Sequence, residues 1–195
     1  MFSGVVEATG KITHLKKNLG TIQISVVRPN SFSDIKLGDS ICLNGVCLTV
    51  EKFDGHSMEF SLGDETLNVT GWDEDSLLGF DVNLERSLVF GDRVHGHLVT
   101  GHVECLIDVI SVTDLGGSRV IYFELPKDKF KFVVPKGSVA INGVSLTVND
   151  VEESLFSVCL IPETLRRTNL GTLSVGNKVC LETDYMIRAV GKLWQ

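Results

Sequence analysis

This sequence of 195 residues lacks several features, and each absence excludes a class of protein. Runs of Lys or Arg never exceed two residues and the formal net charge is −7, so a nucleic-acid backbone is excluded as the expected partner. No apolar run approaches the roughly 18 residues that a membrane helix needs, and no basic segment followed by a long apolar one opens the chain. We therefore expect a protein that is not exported and stays in the cytoplasm.

Cysteine is scarce and badly spaced for cross-linking or metal binding. The five cysteines are odd in number and include no Cys-x-x-Cys pair, which favours neither a disulfide framework nor a zinc ribbon. His95 and His97 could chelate a metal, but no acidic or Cys ligand follows at a zinc-like spacing. Glycine-rich phosphate loops and the Gly-x-Ser-x-Gly nucleophile motif are also missing, so no metal, nucleotide phosphate or nicotinamide is expected.

An internal repeat is the strongest positive signal. The residues LNGVCLTV at 43–50 return almost unchanged as INGVSLTV at 141–148. Three blocks recur in the same order at a nearly constant offset: 3–12 with 100–109, 40–70 with 138–168, and 77–85 with about 173–182. Such a repeat predicts two homologous domains, about 1–88 and 97–184, followed by a tail of residues 185–195.

Each half has the pattern of short β-strands. Asn-Gly at 44–45 and at 142–143 predicts tight type I′ turns, because both residue types tolerate positive φ. After each turn apolar and polar residues alternate, as in a strand with one buried face. About six strands in a half of roughly 100 residues favour a small closed barrel. The expected fold class is all-β, with two homologous six-stranded Greek-key β-barrels in tandem.

Small polar side chains recur on the same face in both halves. Cys47 and Thr49 follow the first turn, and Ser145 and Thr147 follow the second. A solvent-facing strand edge explains a single pair of this kind, since Thr is a common strand residue. Recurrence in both copies favours instead the lining of a cavity that holds a planar ligand.

Divergence between the copies marks further candidates. His102 stands where the first half has Val5, and Asp184 lacks a matching carboxylate in the first half. Asymmetric chemistry is expected at such positions. Glu65 and Glu163 do match each other, and their positions are also typical of acids in the first turn of a helix.

Together these motifs resemble the riboflavin synthase family of the duplicated-barrel type. The resemblance covers residues 1–186 and rests on MFSGVVEATGKI, LGDSICLNGVCLTV, NLERSL, HGHLVTGHVE, KGSVAINGVSLTV and LIPETLRRTNLG. It implies two lumazine-binding barrels, a short C-terminal helix over 185–195 that assembles a homotrimer, and lumazine synthase as a candidate protein partner. It also implies the last step of riboflavin biosynthesis: two molecules of 6,7-dimethyl-8-ribityllumazine give riboflavin and 5-amino-6-(D-ribitylamino)uracil, with no cofactor.

The resemblance further implies catalytic roles. Functional positions of the family fall on Cys47 and Thr49 in the N-terminal barrel, and on His102, Ser145, Thr147 and Asp184 in the C-terminal barrel. We expect His102 with Thr147 to relay a methyl proton of the substrate. Ser145, supported by Asp184, is expected to direct addition to the partner ring, and Cys47 to contribute less.

Substrate binding is implied for a larger set of residues in both halves. In the family, the N-terminal barrel of one subunit faces the C-terminal barrel of a neighbour, so that two bound molecules meet in a fixed geometry. The residues expected to bind the ring or the ribityl chain are Gly4, Val5, Val6, Cys47, Leu48, Thr49, Ser61, Leu62, Gly63, Asp64, Glu65, Thr66, Gly101, His102, Val103, Lys136, Ser145, Leu146, Thr147, Cys159, Leu160, Ile161, Pro162, Glu163 and Thr164.

Departures from the family pattern keep a second interpretation open. In the first copy Asp64 stands for the usual Pro, Asn68 for the usual Arg and Trp72 for the usual Leu, and His95 replaces a customary Gly. The tail is also shorter than is usual in the family, which favours a non-catalytic lumazine or flavin carrier of the antenna type. The expected catalytic side chains favour the enzyme, because a carrier needs no proton relay. An unrelated duplicated β-barrel binding module is the third interpretation.

Overall fold

The computed structural model describes residues 1–18 and 20–193. In the N-terminal half the elements are β1 (Ala8–Asn18), β2 (Thr21–Val27), β3 (Ser40–Leu43), β4 (Val46–Thr49), β5 (Lys52–Phe53), β6 (Ser57–Gly63), α1 (Asp64–Thr70), α2 (Glu74–Leu77) and β7 (Asp81–Arg86). In the C-terminal half they are β8 (Cys105–Leu115), β9 (Ser118–Glu124), β10 (Ser138–Ile141), β11 (Val144–Val151), β12 (Leu155–Leu160), α3 (Pro162–Arg167), β13 (Lys178–Thr183) and α4 (Tyr185–Leu193). Short 3₁₀ turns lie at Phe130–Phe132 and Asn169–Thr172.

The C-terminal half is a closed antiparallel barrel with the strand order β10-β11-β12-β9-β8-β13. Its strands bury alternate side chains, as Ile121 and Phe123 on β9 and Phe156 and Val158 on β12 illustrate. Closure leaves no unpaired strand edge. The all-β fold class with a duplicated, barrel-forming unit is confirmed.

The N-terminal half forms a seven-stranded sheet in place of the predicted six-stranded barrel, and within the residues that the structure describes no hydrogen-bonded ladder joins its two outermost strands. The strand order is β4-β3-β7-β1-β2-β6-β5, and the two outermost strands, β4 and β5, are consecutive in the chain. Only Val50 and Glu51 separate them. Their single equivalent in the second half is β11, whose register shifts between Val148 and Val151. A bulge at this point therefore divides one strand into two in the first half.

Both Asn-Gly turns have the predicted conformation. Asn44 and Gly45 have φ values of 45° and 88°, and Asn142 and Gly143 have φ values of 46° and 77°. Positive φ at both central residues defines the type I′ hairpin turn, which suits the twist of the flanking strands. The turns fix the register of β3 with β4 and of β10 with β11.

The two halves exchange the segments that precede β1 and β8. We call residues 2–6 the first crossing segment and residues 99–103 the second crossing segment. They pair in antiparallel fashion, since Phe2 N–H donates to Val99 O at 2.8 Å and Val99 N–H donates to Phe2 O at 3.0 Å. Val6 then packs in the core of the C-terminal barrel, and Val103 packs against the core of the N-terminal half. Each half is thus completed by a segment of the other.

The predicted C-terminal helix is present as α4. One of its faces packs on the barrel, where Gly191 lies against Phe132, whereas Tyr185, Met186 and Val190 are exposed. Residues 194 and 195 of the predicted helix lie outside the described residues. Within residues 1–18 and 20–193, no helix combines the length and the apolar character needed to cross a membrane.

Candidate active site

The predicted polar faces after the turns are formed as expected by strand alternation. Leu48 and Leu146 are buried in the two cores, whereas Cys47 and Ser145 are half-buried on the opposite face. Thr49 and Thr147 are exposed on that face. The repeated sequence therefore presents one thiol and one hydroxyl at equivalent places in the two halves.

Each of these side chains lies against a glycine of the other half. Ser145 N–H donates to Gly4 O, and Cys47 N–H donates to Gly101 O, both at 2.8 Å. Both glycines have positive φ, 74° and 79°. A Cβ atom at Gly4 would lie 2.6 Å from the Cβ of Ser145, and one at Gly101 would lie 2.6 Å from the Cβ of Cys47. The crossing segments therefore approach the two sites too closely for any larger residue.

Two buried carboxylates hold the crossing segments in place. Glu85 accepts hydrogen bonds from Ser3 N–H at 2.7 Å, Ser3 Oγ at 2.8 Å and Gly4 N–H at 3.0 Å. Burial raises the pKa of Glu85, and these hydrogen bonds oppose that rise. Because its carboxylate belongs to the first half and its partners pack on the second, Glu85 ties the halves together.

Glu182, in the second half, holds the second crossing segment, which packs on the first half. It is 1% exposed and accepts hydrogen bonds from Thr100 N–H and Thr100 Oγ1, both at 2.7 Å, from Gly101 N–H at 3.0 Å and from His102 N–H at 3.1 Å. A carboxylate that satisfies several buried N–H groups is costly to replace, since each would otherwise lose its partner.

Glu182→Gln is expected to lower the free energy of unfolding by about 2 kcal/mol. One carboxylate oxygen becomes an amide N–H₂ group, which cannot accept hydrogen bonds from the buried N–H groups that face it. The melting temperature should fall by about 4 to 8 °C for a chain of this size. Glu152→Gln, at an exposed carboxylate, is the matched control and should melt with the wild type. Thermal melts followed by circular dichroism make the comparison, and equal melting temperatures for all three proteins would refute the role given to Glu182.

The first candidate site, which we call the N-terminal site, is a cavity beside Cys47. Its volume is about 410 Å³, within the usual range for a small-molecule site. Its walls come from β4, α1 and the second crossing segment, so both halves contribute. The lining residues are Val46, Cys47, Glu65, Thr66, Val69, Thr70, Gly101, His102 and Val103.

His102 belongs to this N-terminal site and not to the site of Ser145. Its backbone N–H is anchored on Glu182, while the residue as a whole is exposed at the cavity. The cavity contains neither Ser145 nor Thr147. Within one chain the structure therefore separates His102 from Thr147, its expected partner in proton relay. The physical reason is the exchange of segments, which moves His102 from its own half to the other.

The second candidate site, the C-terminal site, is built around Ser145, Thr147 and the first crossing segment. Val5 of that segment is 40% exposed and occupies the place that His102 has in the N-terminal site. The two sites thus share a backbone plan but differ in chemistry, because an imidazole in one corresponds to an isopropyl group in the other.

Sequence reasoning treated His97 only as part of a possible chelating pair, but the structure places it at Ser145. His97 Nδ1 lies 2.7 Å from Ser145 Oγ, and the residue is 9% exposed. Its Nε2 atom is buried and has no hydrogen-bond partner among the described residues. Burial lowers the pKa of His97, and the charges of Asp184 and Glu182 oppose that shift. His97 lies before the repeated blocks, so the repeat offered no counterpart that could have identified it.

Acidification should destabilise the protein through His97. Below the ordinary His pKa of 6.5 the unfolded chain takes up a proton that the buried ring resists, so stability is lost as the pH falls through that value. His97→Asn removes this titration but keeps a polar group near Ser145. Urea unfolding between about pH 8 and pH 5 should give a flatter curve for the variant. Parallel loss of stability in both proteins would contradict the assignment.

The other sequence-predicted residues lie on neighbouring elements, mostly where a strand ends and a helix begins. Ser61, Leu62 and Gly63 end β6 and lead into Asp64, Glu65 and Thr66 of α1; Cys159 and Leu160 end β12, and Ile161 leads into Pro162, Glu163 and Thr164 of α3. Lys136 lies in the turn before β10 with a φ of 63°. The Asp184 carboxylate accepts a hydrogen bond from Met186 N–H at 2.8 Å at the start of α4. The side chain hydrogen-bonded to Ser145 Oγ is His97, and the charge of Asp184 acts on that imidazole.

Two further observations concern alternatives to these sites. A hollow of about 530 Å³ lies between the halves near Trp72 and Asn169, and none of the sequence-predicted site residues lines it. In the part of the chain that the structure describes, no group of three or more His, Cys, Asp or Glu side chains is arranged to hold a metal ion.

Comparison with known proteins identifies the repeated unit. A family described as lumazine binding domain matches residues 3–87 and again residues 100–184. Riboflavin synthase of Photobacterium phosphoreum is 37% identical over 99% of this chain and 88% of its own. Riboflavin synthase of Escherichia coli is 37% identical over 97% and 90%, and that of Mycobacterium bovis is 36% identical over 99% and 98%.

Solved structures also resemble this chain. The crystal structure of LumP complexed with riboflavin superposes with a TM-score of 0.86 at 28% identity, covering 94% of this chain and 99% of LumP. That of LumP complexed with 6,7-dimethyl-8-(1′-D-ribityl) lumazine has a TM-score of 0.83 at the same identity. The fold described above is thus shared with LumP over nearly the whole chain.

Proposed function

The chain belongs to the riboflavin synthase family, and from that premise we propose that it converts two molecules of 6,7-dimethyl-8-ribityllumazine into riboflavin and 5-amino-6-(D-ribitylamino)uracil. The observation that carries the proposal is the pair of equivalent sites, each formed by one half and a crossing segment of the other. One substrate molecule gives up a four-carbon unit and the other gains it. A reaction between two copies of one molecule needs two related sites, which a duplicated domain supplies. No cofactor is needed, because both redox partners are substrate.

His102 is the proposed base of the N-terminal site. The conjugated lumazine ring acidifies its methyl group, and a base at hydrogen-bond distance must take that proton. The backbone of His102 is fixed by Glu182, while the imidazole is accessible at the cavity wall. The equivalent Val5 cannot move a proton, so this step belongs to the N-terminal site alone. Cys47, which lines the same cavity, contributes to ring binding.

Ser145 is the proposed group for addition to the partner ring. His97 orients its hydroxyl through the 2.7 Å contact, and Asp184 adds negative charge near that imidazole. A neutral His97 with a lowered pKa can accept the hydroxyl proton, which makes Ser145 more nucleophilic or better able to activate water. Thr147 lies two residues further along the same face.

The two sites are proposed to meet between neighbouring copies. His102 and Thr147 belong to different sites of one chain, so their joint action requires the N-terminal site of one copy to face the C-terminal site of the next. A homotrimer assembled through the exposed side chains of Tyr185, Met186 and Val190 on α4 would provide such contacts. Positioning of two reactants in this way lowers a barrier by up to about 7 to 11 kcal/mol in favourable cases. The cytoplasm is the proposed location, and lumazine synthase stays a candidate partner.

A carrier of the LumP type is the second candidate, because the overall fit to LumP is close at a TM-score of 0.86. Incubation of the purified chain with 6,7-dimethyl-8-ribityllumazine, followed by riboflavin absorbance, separates the two functions. The enzyme predicts steady formation of riboflavin and the pyrimidine in equal amounts. Tight binding of the lumazine without turnover would establish the carrier instead.

A further inference from the structure

The two halves of the chain differ in charge at equivalent positions around their sites. Three cations of the second half have uncharged counterparts 98 residues earlier in the first half. The pairs are Lys136 with Gly38, Arg166 with Asn68, and Arg167 with Val69. Carboxylates show the reverse pattern, since Asp64 corresponds to Pro162 whereas Glu65 corresponds to Glu163. At these positions the second half therefore carries three cations and one carboxylate, whereas the first half carries two carboxylates and no cation. Of the two carboxylates, Glu65 lines the cavity of the N-terminal site, and Asp64 lines a separate hollow beside Gly20.

The single carboxylate of the C-terminal set is already neutralised. Arg166 Nη2 lies 2.8 Å from Glu163 Oε2, and Arg167 Nε lies 2.7 Å from Glu163 Oε1. The two arginine side chains are more than half exposed, so their remaining N–H groups are accessible to solvent. One positive charge is left over in this cluster, on donors whose planar geometry suits a phosphate.

Lys136 adds a third cation in a strained conformation. Its φ of 63° lies in the left-handed region, where its counterpart Gly38, with a φ of 89°, is comfortable. The two residues are structurally equivalent, since Lys136 N–H donates to Val148 O and Gly38 N–H donates to Val50 O. Lys136 makes no ion pair in the described part of the chain. Lys136 adopts a backbone conformation that glycine would adopt with less strain, and its ammonium group has no ion-pair partner among residues 1–18 and 20–193. We infer that its charge has a function.

The N-terminal site has the opposite character. Glu65 lines the cavity beside His102, and neither Glu65 nor Asp64 has an ion-pair partner within residues 1–18 and 20–193. Val69 lines the same cavity at the position that Arg167 holds in the second half. A carboxylate without a cation can accept hydrogen bonds from the hydroxyl groups of a polyol, but it repels an anion.

We propose that the C-terminal site accepts ribityl ligands that end in a phosphate, such as flavin mononucleotide, and that the N-terminal site accepts only the unphosphorylated form. The inference rests on the proposed function, because it presumes that both sites hold ribityl heterocycles. A phosphate monoester carries a charge of about −1.5 to −2 near pH 7 and pairs well with arginine. A phosphorylated flavin would then fill one site of each pair and inhibit riboflavin formation.

Calorimetric titration of the full chain with riboflavin and with flavin mononucleotide tests this inference. Near pH 8 and in low salt, riboflavin should bind with two equivalents per chain and flavin mononucleotide with one. The double variant Arg166→Gln/Arg167→Gln should weaken the binding of flavin mononucleotide by at least about tenfold. Its affinity for riboflavin should stay within about twofold of the wild-type value. Lys11→Gln/Lys52→Gln, which removes two exposed cations elsewhere, is the matched control and should change neither ligand.

A gain of function provides the converse test. Asn68→Arg/Val69→Arg gives the N-terminal site the arginines of its counterpart and should raise the stoichiometry of flavin mononucleotide from one to two; Asn68→Arg alone is the milder variant if the half-buried Val69 does not tolerate the change. The inference would be overturned if flavin mononucleotide bound to both wild-type sites alike or to neither, or if the arginine variants affected both ligands equally. If two riboflavins still bound per chain, the proposed function would stand. Failure of riboflavin itself to bind would overturn both.

Discussion

Gly101→Ala is expected to lower the rate of riboflavin formation by at least about 100-fold, because it displaces the segment that carries His102. The new Cβ would lie 2.6 Å from the Cβ of Cys47 and 2.9 Å from its backbone N. Backbone cannot yield as a flexible side chain would, so the crossing segment must shift. A displacement of about 1 Å at a reacting group costs roughly two orders of magnitude in rate. Riboflavin should also bind with one equivalent per chain instead of two.

Gly79→Ala is the matched control for backbone strain. Gly79 has a φ of 80°, almost the value of Gly101, and no heavy atom lies within 4 Å of the position that its Cβ would take. The two variants therefore share the cost of positive φ, but only one of them has the collision. Gly79→Ala should keep its rate within about threefold of the wild type. Equal losses in the two variants would show that strain, and not contact with Cys47, explains the defect.

His102→Gln is expected to reduce kcat by about 100-fold or more, since general acid–base groups commonly contribute factors of this size. KM should change much less, because the backbone contacts of His102 with Glu182 do not depend on its side chain. Steady-state kinetics with 6,7-dimethyl-8-ribityllumazine measures both constants, and riboflavin titration checks that two sites per chain persist.

His14→Gln controls for the loss of an exposed imidazole elsewhere and should behave as the wild type. A further readout separates proton transfer from mere packing. The pH profile of kcat in the wild type should have a limb that disappears in His102→Gln. If the variant keeps its rate within about threefold and retains that limb, His102 is not the base.

The architecture was predictable because the sequence repeats itself. Two copies of Asn-Gly fix two hairpin turns, and the alternation after each turn decides which face enters the core. Cys47 and Ser145 could be singled out for the same reason, since a small side chain with a thiol or hydroxyl group occurs twice at the same place. The divided strand at Val50 and Glu51 could not be predicted, because a bulge depends on local hydrogen bonding that both sequences permit.

The exchange of crossing segments left no trace in the sequence pattern. Val6 and Val103 suit either core, and an apolar residue does not specify which barrel it completes. Sequence reasoning therefore placed His102 with its own half, whereas the structure places it at the cavity of Cys47. His97 was missed for a related reason. Its importance derives from a contact with Ser145 across 48 residues, which no local periodicity encodes.

The same exchange explains why each site includes residues from both halves of the chain. Glu85 of the first half holds the segment that completes the site of Ser145, and Glu182 of the second half holds the segment that completes the site of Cys47. A defect in one half is then expected to appear in the site of the other. Duplication thus yields two sites with one backbone plan, and exchange makes each of them depend on the whole chain.

Mixing two inactive variants tests the central claim most directly, namely that one N-terminal site and one C-terminal site react across a contact between copies. Gly101→Ala disables the N-terminal site and Gly4→Ala, by its collision with Ser145, disables the C-terminal site. After subunit exchange, an intact N-terminal site of one variant can face an intact C-terminal site of the other. Riboflavin formation in the mixture should rise well above the sum of the two separate activities. A mixture that never exceeds that sum, although each variant still binds one riboflavin per chain, would contradict the account.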